Sequence, residues 1–137
     1  MKLTKRRTQA LYALLGALGL VLVTANSAAA VEAYGAYEGG GYGVWMQDPG
    51  YDELDDPAPG DAIKACDIKA DGWGIEVKLD INRDGSYERT ISTRGHASPY
   101  CSGWDSGNIA ENTPIRMKVT KVNGDTSYHP VYWDGHS

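Results

Sequence analysis

The chain has 137 residues, with 13 basic and 18 acidic side chains and a formal net charge of −5. This length suits one small domain. An acidic surface repels nucleic acid and anionic lipid at long range, so we do not expect a nucleic-acid partner.

The first 30 residues have the three parts of a secretory signal peptide. An apolar run covers 10–23, and small residues follow it up to Ala30. This run is shorter than the roughly 20 apolar residues that span a bilayer, so we expect cleavage after Ala30 rather than membrane insertion. The basic start of the segment holds Lys2, Lys5, Arg6 and Arg7.

Cleavage after Ala30 predicts a secreted, extracellular protein made of residues 31–137. It removes four basic residues and no acidic one, so nine basic side chains remain with 18 acidic ones and the net charge becomes −9. The Arg6-Arg7 pair also raises the twin-arginine export route, but the residues after it favour general secretion.

Residues 31–61 differ in composition from the rest of the chain. The stretch 34–43 is rich in glycine and tyrosine and has few aliphatic residues, although Trp45 could help to dock it as an edge strand. The stretch 48–61 combines six acidic residues with three prolines and has no basic residue. Charge repulsion and proline stiffness favour an extended, solvated segment. We therefore expect a flexible acidic arm ahead of a β domain over 62–137.

The first part of the β domain contains a predicted hairpin. Apolar and polar residues alternate over 73–81, which places every second side chain on one buried face. Asp84-Gly85 is a tight-turn pair, so 87–93 should return as the second strand. The residues predicted to be buried are Trp73, Ile75, Val77, Leu79 and Ile81.

A second hairpin is predicted near the C-terminus. Apolar and polar residues alternate over 115–120, Asn123-Gly124 is typical of a type I′ turn, and 127–133 should return as a strand. Pro130 has no N–H to donate to a ladder, so this last strand should lie at a sheet edge.

The two cysteines, Cys66 and Cys101, are predicted to form one disulfide, because an even pair in an oxidising compartment most simply does so. Closing a loop of this length should stabilise the fold by about 4 kcal/mol on the chain-entropy model. Together with a short strand over 63–69, the pattern predicts an all-β domain of about five to seven strands. Its architecture should be a small antiparallel sandwich or a partly open barrel.

The loop between the two hairpins, 93–107, concentrates polar and aromatic residues, and Cys101 holds it to the scaffold. Such loops often carry function, and aromatic faces stack well on sugar rings. In the alternative, structural interpretation, the polar side chains bond loop carbonyls and the rings cover the core. The candidate ligand-binding residues are Arg94, His96, Tyr100, Trp104 and Asp105.

The same loop resembles a stretch of small secreted actinobacterial proteins, in which a β-hairpin ending in Arg-Gly-His precedes a Pro-Tyr and a Trp-x-Ser-Gly segment. The resemblance covers 66–122, implies a β fold and assigns no catalytic residue. The matching residues are Arg94-Gly95-His96, Ser98-Pro99-Tyr100, Trp104 and Ser106-Gly107.

The segment 80–85 resembles the start of a calcium-binding loop, because oxygen-bearing residues alternate and the sixth residue is glycine. An EF-hand also needs a glutamate at its twelfth position, where this chain has Ile91. The same residue types are what a hairpin turn requires. We therefore expect no cofactor, with calcium as the alternative and Asp80, Asn82, Asp84 and Glu88 as its candidate ligands.

The sequence contains no evident catalytic constellation. His96 is the one candidate general base, and Ser98 and Asp105 lie on the same loop, whereas triads recruit residues from separate elements. We expect a secreted, monomeric, non-enzymatic domain that binds an extracellular polysaccharide or protein. One alternative is a secreted effector, either a small toxin or a protease inhibitor that uses 98–101 as a stiff loop. The other alternative is a small hydrolase that uses His96.

Overall fold

The structure is a computed structural model that describes residues 31–36, 39–52 and 54–137. The predicted signal peptide, 1–30, lies outside the described residues. Throughout the described part of the chain the regular elements are β-strands, and no helix there is long and apolar enough to cross a membrane.

Seven of the twelve strands in the described residues have four residues or more, and the other five are shorter. The strands are β1 (Val31–Gly35), β2 (Gly41–Met46), β3 (Pro49–Tyr51), β4 (Pro57–Pro59), β5 (Ala62–Asp67), β6 (Gly74–Ile81), β7 (Arg89–Ser92), β8 (Tyr100–Cys101), β9 (Asp105–Ser106), β10 (Pro114–Asn123), β11 (Thr126–Ser127) and β12 (Val131–His136).

Ten of these strands form two antiparallel sheets that pack face to face. In the first sheet, β2 lies between β1 and β5, and β8 and β9 both pair with the other edge of β5. In the second sheet, β6 lies between β7 and β10, and β11 and β12 both pair with the other edge of β10. The predicted antiparallel sandwich is confirmed, and the sheets do not close into a barrel.

The hydrophobic core lies between the two sheets. Trp45, Ile63 and Ala65 contribute from the first sheet. The alternation predicted for the second sheet supplies the opposite side of the core, with Ile75, Val77, Leu79, Ile115, Met117 and Val119. Trp73 is an exception to the prediction, since it precedes the first residue of β6 and is only half-buried.

The turn of the second hairpin lies one residue later than predicted. Asn123 pairs with Thr126, so the two loop residues are Gly124 and Asp125. Gly124 has a φ of 54°, whereas Asp125 does not adopt a positive φ. A two-residue loop with a left-handed glycine in its first position alone is typical of a type II′ turn rather than a type I′ turn.

The prediction of an arm over 31–61 is wrong for β2. This strand bonds to neighbours on both sides, so it is an inner strand of the first sheet. Trp45 is 1% exposed and fills the core, while Val44 and Met46 are buried on the opposite face. One indole supplies a large buried apolar area, so the strand packs well although it has few aliphatic residues.

The acidic stretch 48–61 also differs from the extended, solvated segment that was predicted. The strands β3 and β4 form their own short ladder, and Ala58 packs against Met46 and Ala62 on the outer face of the first sheet. Asp52 is buried there as well. The stretch therefore covers the sheet.

The predicted disulfide between Cys66 and Cys101 is present. The two residues lie directly opposite each other in the ladder of β5 and β8. The disulfide therefore ties the loop between the hairpins to the centre of the first sheet.

Gly43→Ala tests whether β2 is packed into the sandwich. A Cβ at position 43 would lie 2.7 Å from Val119 and 2.8 Å from Val77. We expect the free energy of unfolding to fall by about 1–3 kcal/mol, measured by chemical denaturation. Gly35→Ala in β1 is the control, since its Cβ would meet nothing within 4 Å. Equal stability of the two variants would contradict the packing of β2 on the second sheet.

Candidate ligand-binding site

An open concavity of about 530 Å³ lies at one end of the sandwich. Its wall comes from three connections, namely 67–74 between β5 and β6, 93–98 after β7, and 122–124 at the end of β10. Trp73 and His96 are the two ring-bearing residues in this wall. The concavity therefore combines aromatic surface with the polar backbone of three loops.

A tight turn after β7 places Arg94 and His96 in this wall. The His96 N–H donates to the Thr93 carbonyl at 3.2 Å, and Gly95, the third residue of the turn, has a φ of 82°. A type II turn needs such a residue at this position. The Thr93 hydroxyl accepts a hydrogen bond of 2.9 Å from the Ile75 N–H, so the turn is anchored to β6.

The Arg94 guanidinium is held at the rim of the concavity. Its Nη1 donates to Glu76 Oε2, and its Nε donates to the Gly124 carbonyl at 3.3 Å. Burial alone would raise the pKa of Glu76, but the hydrogen bond and charge of Arg94 outweigh burial and hold that pKa below its usual value. Among the described residues no hydrogen bond uses Arg94 Nη2, which leaves a donor for a ligand.

His96 and Tyr100 form a stacked pair. Their ring centroids are 3.8 Å apart and their planes differ by 6°. His96 is exposed, whereas Tyr100 is half-buried and belongs to β8. Tyr100 does not line the concavity itself, so it supports the imidazole from behind.

The structure does not bring Trp104 and Asp105 to this site. Trp104 packs on the outer face of the first sheet with Ala62, and its ring centroid lies 5.2 Å from Lys64 Nζ. Asp105 belongs to β9 and pairs with Ile63. Of the five predicted site residues, Arg94, His96 and Tyr100 are therefore together at the concavity and two are elsewhere.

Trp104 covers a buried ion pair that sequence reasoning missed. Lys64 Nζ lies 2.6 Å from Asp52 Oδ2, and the two side chains are 5% and 0% exposed. The other carboxylate oxygen of Asp52 accepts hydrogen bonds of 2.9 Å from the N–H groups of Leu54 and Asp56. Burial raises the pKa of Asp52, but the hydrogen bonds from Lys64 and these N–H groups outweigh it, so the pKa lies below its usual value.

The geometry around His96 does not form a catalytic triad. Ser98 Oγ is buried and has no hydrogen-bond partner among the described residues, so it is not bonded to the imidazole. Asp105 is held in β9. In the segment 98–101, considered as an inhibitory loop, Tyr100 and Cys101 belong to β8 and are paired to β5.

Three of the four residues proposed as calcium ligands, Asp80, Asp84 and Glu88, accept hydrogen bonds within the first hairpin. The two carboxylate oxygens of Asp80 accept hydrogen bonds of 3.0 Å from the N–H groups of Asp84 and Gly85. Glu88 Oε2 accepts one of 2.7 Å from the Ile81 N–H. Within the described ranges no group of three or more His, Cys, Asp or Glu is placed to hold a metal ion. Calcium binding here stays a prediction.

Two features of the sequence could have revealed the position of Trp73 and the buried ion pair of Lys64. Trp73 lies between two glycines, Gly72 and Gly74, which is typical of the end of a strand rather than its interior. Lys64 interrupts the otherwise apolar run 62–66, and a lysine at such a position needs an acidic partner. The sequence does not show which of its many carboxylates provides that partner.

No protein-family model, curated protein or solved structure matches the chain.

Asp52→Asn should destabilise the protein, because it removes the only buried counter-charge that the described residues provide to the Lys64 ammonium. Loss of one partner of a buried pair costs about 3–5 kcal/mol. The pKa of Asp52 is lower in the folded protein than the usual value near 3.9. The ionised Asp52 carboxylate therefore contributes its full stabilisation at pH values above 3.9. The effect is lost as the pH falls through the lower, folded-state pKa. The difference between parent and variant should therefore be largest near neutral pH and shrink below about pH 4.

Asp56→Asn provides the matched control, because Asp56 lies 3.8 Å from the same ammonium but is 64% exposed. This exposed pair should contribute less than about 1 kcal/mol. Urea denaturation at pH 7 and pH 3 measures both effects. Similar losses for the two variants, or a loss for Asp52→Asn that does not change with pH, would show that the buried pair is not the stabilising contact.

Proposed function

We propose that this protein is a secreted, non-enzymatic β domain that binds an extracellular polysaccharide at the concavity. One observation carries the proposal: the open wall displays Trp73 and His96 beside the Arg94 guanidinium, and Tyr100 stacks on His96 from behind. Sugar rings offer C–H faces to aromatic rings and hydroxyl groups to polar donors, so this combination suits a carbohydrate.

Secretion is part of the same proposal. The pattern of 1–30 is that of an export signal, and the Cys66–Cys101 disulfide is compatible with an oxidising compartment. The resemblance of 66–122 to small secreted actinobacterial proteins points in the same direction. We expect the protein to act as a monomer and without nucleic acid.

The predicted cleavage is tested by intact-mass measurement of the protein recovered from the culture medium. A mass corresponding to residues 31–137, with the two cysteines oxidised, is the expected result, because small residues end at Ala30. A cell-associated protein that retains its first 30 residues would contradict secretion.

The binding site is tested by pull-down of the purified protein on insoluble and immobilised glycans. His96→Ala should reduce retention about tenfold on any glycan that binds the parent, since it removes an aromatic face from the concavity. His96 is exposed, so the variant should unfold at nearly the same temperature as the parent.

His136→Ala is the matched control, because His136 is also exposed but does not line the concavity. It should be retained like the parent. The proposal fails if the parent binds no glycan, or if the two histidine variants lose binding equally.

A further inference from the structure

The outer face of the second sheet carries another depression, of about 510 Å³. Arg94 and Gly124 line both this depression and the concavity, so one continuous surface runs from the end of the sandwich onto the sheet. The remaining residues that line the depression are Glu76, Lys78, Lys118, Thr120, Asp125 and Ser127.

Two lysines of this face lie directly opposite each other. Lys78 of β6 and Lys118 of β10 are register partners, an arrangement in which like charges destabilise a sheet. Lys78 Nζ lies 3.4 Å from Glu76, but Glu76 also pairs with Arg94. Lys118 forms no ion pair with any described residue. The face thus has a local excess of positive charge.

A tyrosine ring lies beside both ammonium groups. The centroid of the Tyr87 ring is 5.9 Å from Lys78 Nζ and 5.5 Å from Lys118 Nζ. Tyr132, which is 51% exposed, is the β12 register partner of Lys118. The two lysines are therefore bordered by a flat aromatic surface that solvent reaches.

Two of the neighbouring carboxylates on this face are already held by other groups of the protein. Arg116 donates to both carboxylate oxygens of Asp134, at 2.6 and 2.8 Å. Asp80 accepts hydrogen bonds from the turn of the first hairpin. Asp125 lies in the exposed turn at the rim of the depression. Among the described cations of this face, Lys118 is the one that forms no ion pair.

From this arrangement we infer that the polysaccharide is acidic, and that its carboxylate or sulfate group binds between Lys78 and Lys118 while a sugar ring packs against Tyr87. This inference rests on the proposed function and names the class of ligand. A bound anion removes the repulsion between the two ammonium groups, which explains why a locally unfavourable pair is present in an otherwise regular sheet.

The net negative charge of the protein does not prevent this binding. The acidic stretch 48–61 covers the outer face of the first sheet, on the other side of the sandwich from Lys118. Charges are screened over about 8 Å at physiological ionic strength, and two packed sheets are already about 10 Å apart. A ligand on the second sheet therefore interacts mainly with the local lysines.

The test measures affinity for three soluble polymers, namely polygalacturonate, dextran sulfate and neutral dextran. We expect binding to one or both acidic polymers that weakens as salt increases, and at least tenfold weaker binding to dextran. Polygalacturonate and dextran sulfate separate a carboxylate site from a sulfate site. Poly-glutamate is a polyanion without sugar hydroxyl groups, and single-stranded DNA is a polyanion without a pyranose ring. Binding to these two polymers as tight as to the acidic polysaccharides would overturn the inference.

Lys118→Gln should lower the affinity for the acidic polymer about tenfold, because it removes one charge-assisted contact. Its thermal stability without ligand should be unchanged or higher, since the repulsion with Lys78 is gone, and this result distinguishes a binding role from a structural one. Lys118→Arg should retain most of the affinity. Lys121→Gln is the matched control, because the same charge is lost from the same strand but Lys121 already pairs with Asp71 at 3.2 Å.

The outcomes separate the two proposals. Binding to neutral dextran as tight as to the acidic polymers, with dependence on His96, would overturn the acidic class and leave the proposed function standing. Equal losses for Lys118→Gln and Lys121→Gln would also overturn the lysine site. Binding to no polysaccharide at all would overturn both proposals.

Discussion

The buried Lys64 ammonium is the constraint on which the arrangement of the first sheet depends. Ile63 and Ala65 face the core, so strand alternation places Lys64 on the outer face of β5. A charge that is 5% exposed needs a partner, and Asp52 provides it from the acidic stretch. The same contact holds 48–60 against the sheet, while Trp104 covers the pair from the other side. The ion pair and the ring contact thus join β5 to the acidic stretch that precedes it and to Trp104 of the loop between the hairpins.

This cover on the first sheet determines where ligands can reach the sandwich. The outer face of the first sheet is occupied by the β3–β4 ladder and by Trp104. The open surfaces are the concavity at the end of the sandwich and the outer face of the second sheet. Arg94 lies where the two surfaces meet, and its ion pair with Glu76 holds the guanidinium in place for both.

The features that could be predicted from the sequence are those that a local pattern or a residue count determines. Alternation identified the buried positions of β6 and β10, and two cysteines in a predicted extracellular chain identified the disulfide. Sequence reasoning failed for β2, because the low aliphatic content of that segment does not reveal that Trp45 enters a core built by other strands. It placed Trp104 at the binding site for a similar reason, since exposure of an aromatic ring depends on which distant segment packs against it.

Amide hydrogen exchange tests most directly whether the acidic stretch and β2 belong to the folded domain. We expect the amides of Val44 and Trp45 to exchange as slowly as that of Val77, because β2 is bonded on both sides. The amides of Leu54 and Asp56, which donate to Asp52, should also be protected. Fast exchange at all four positions, while Val77 remains protected, would contradict the account and restore the picture of a mobile arm.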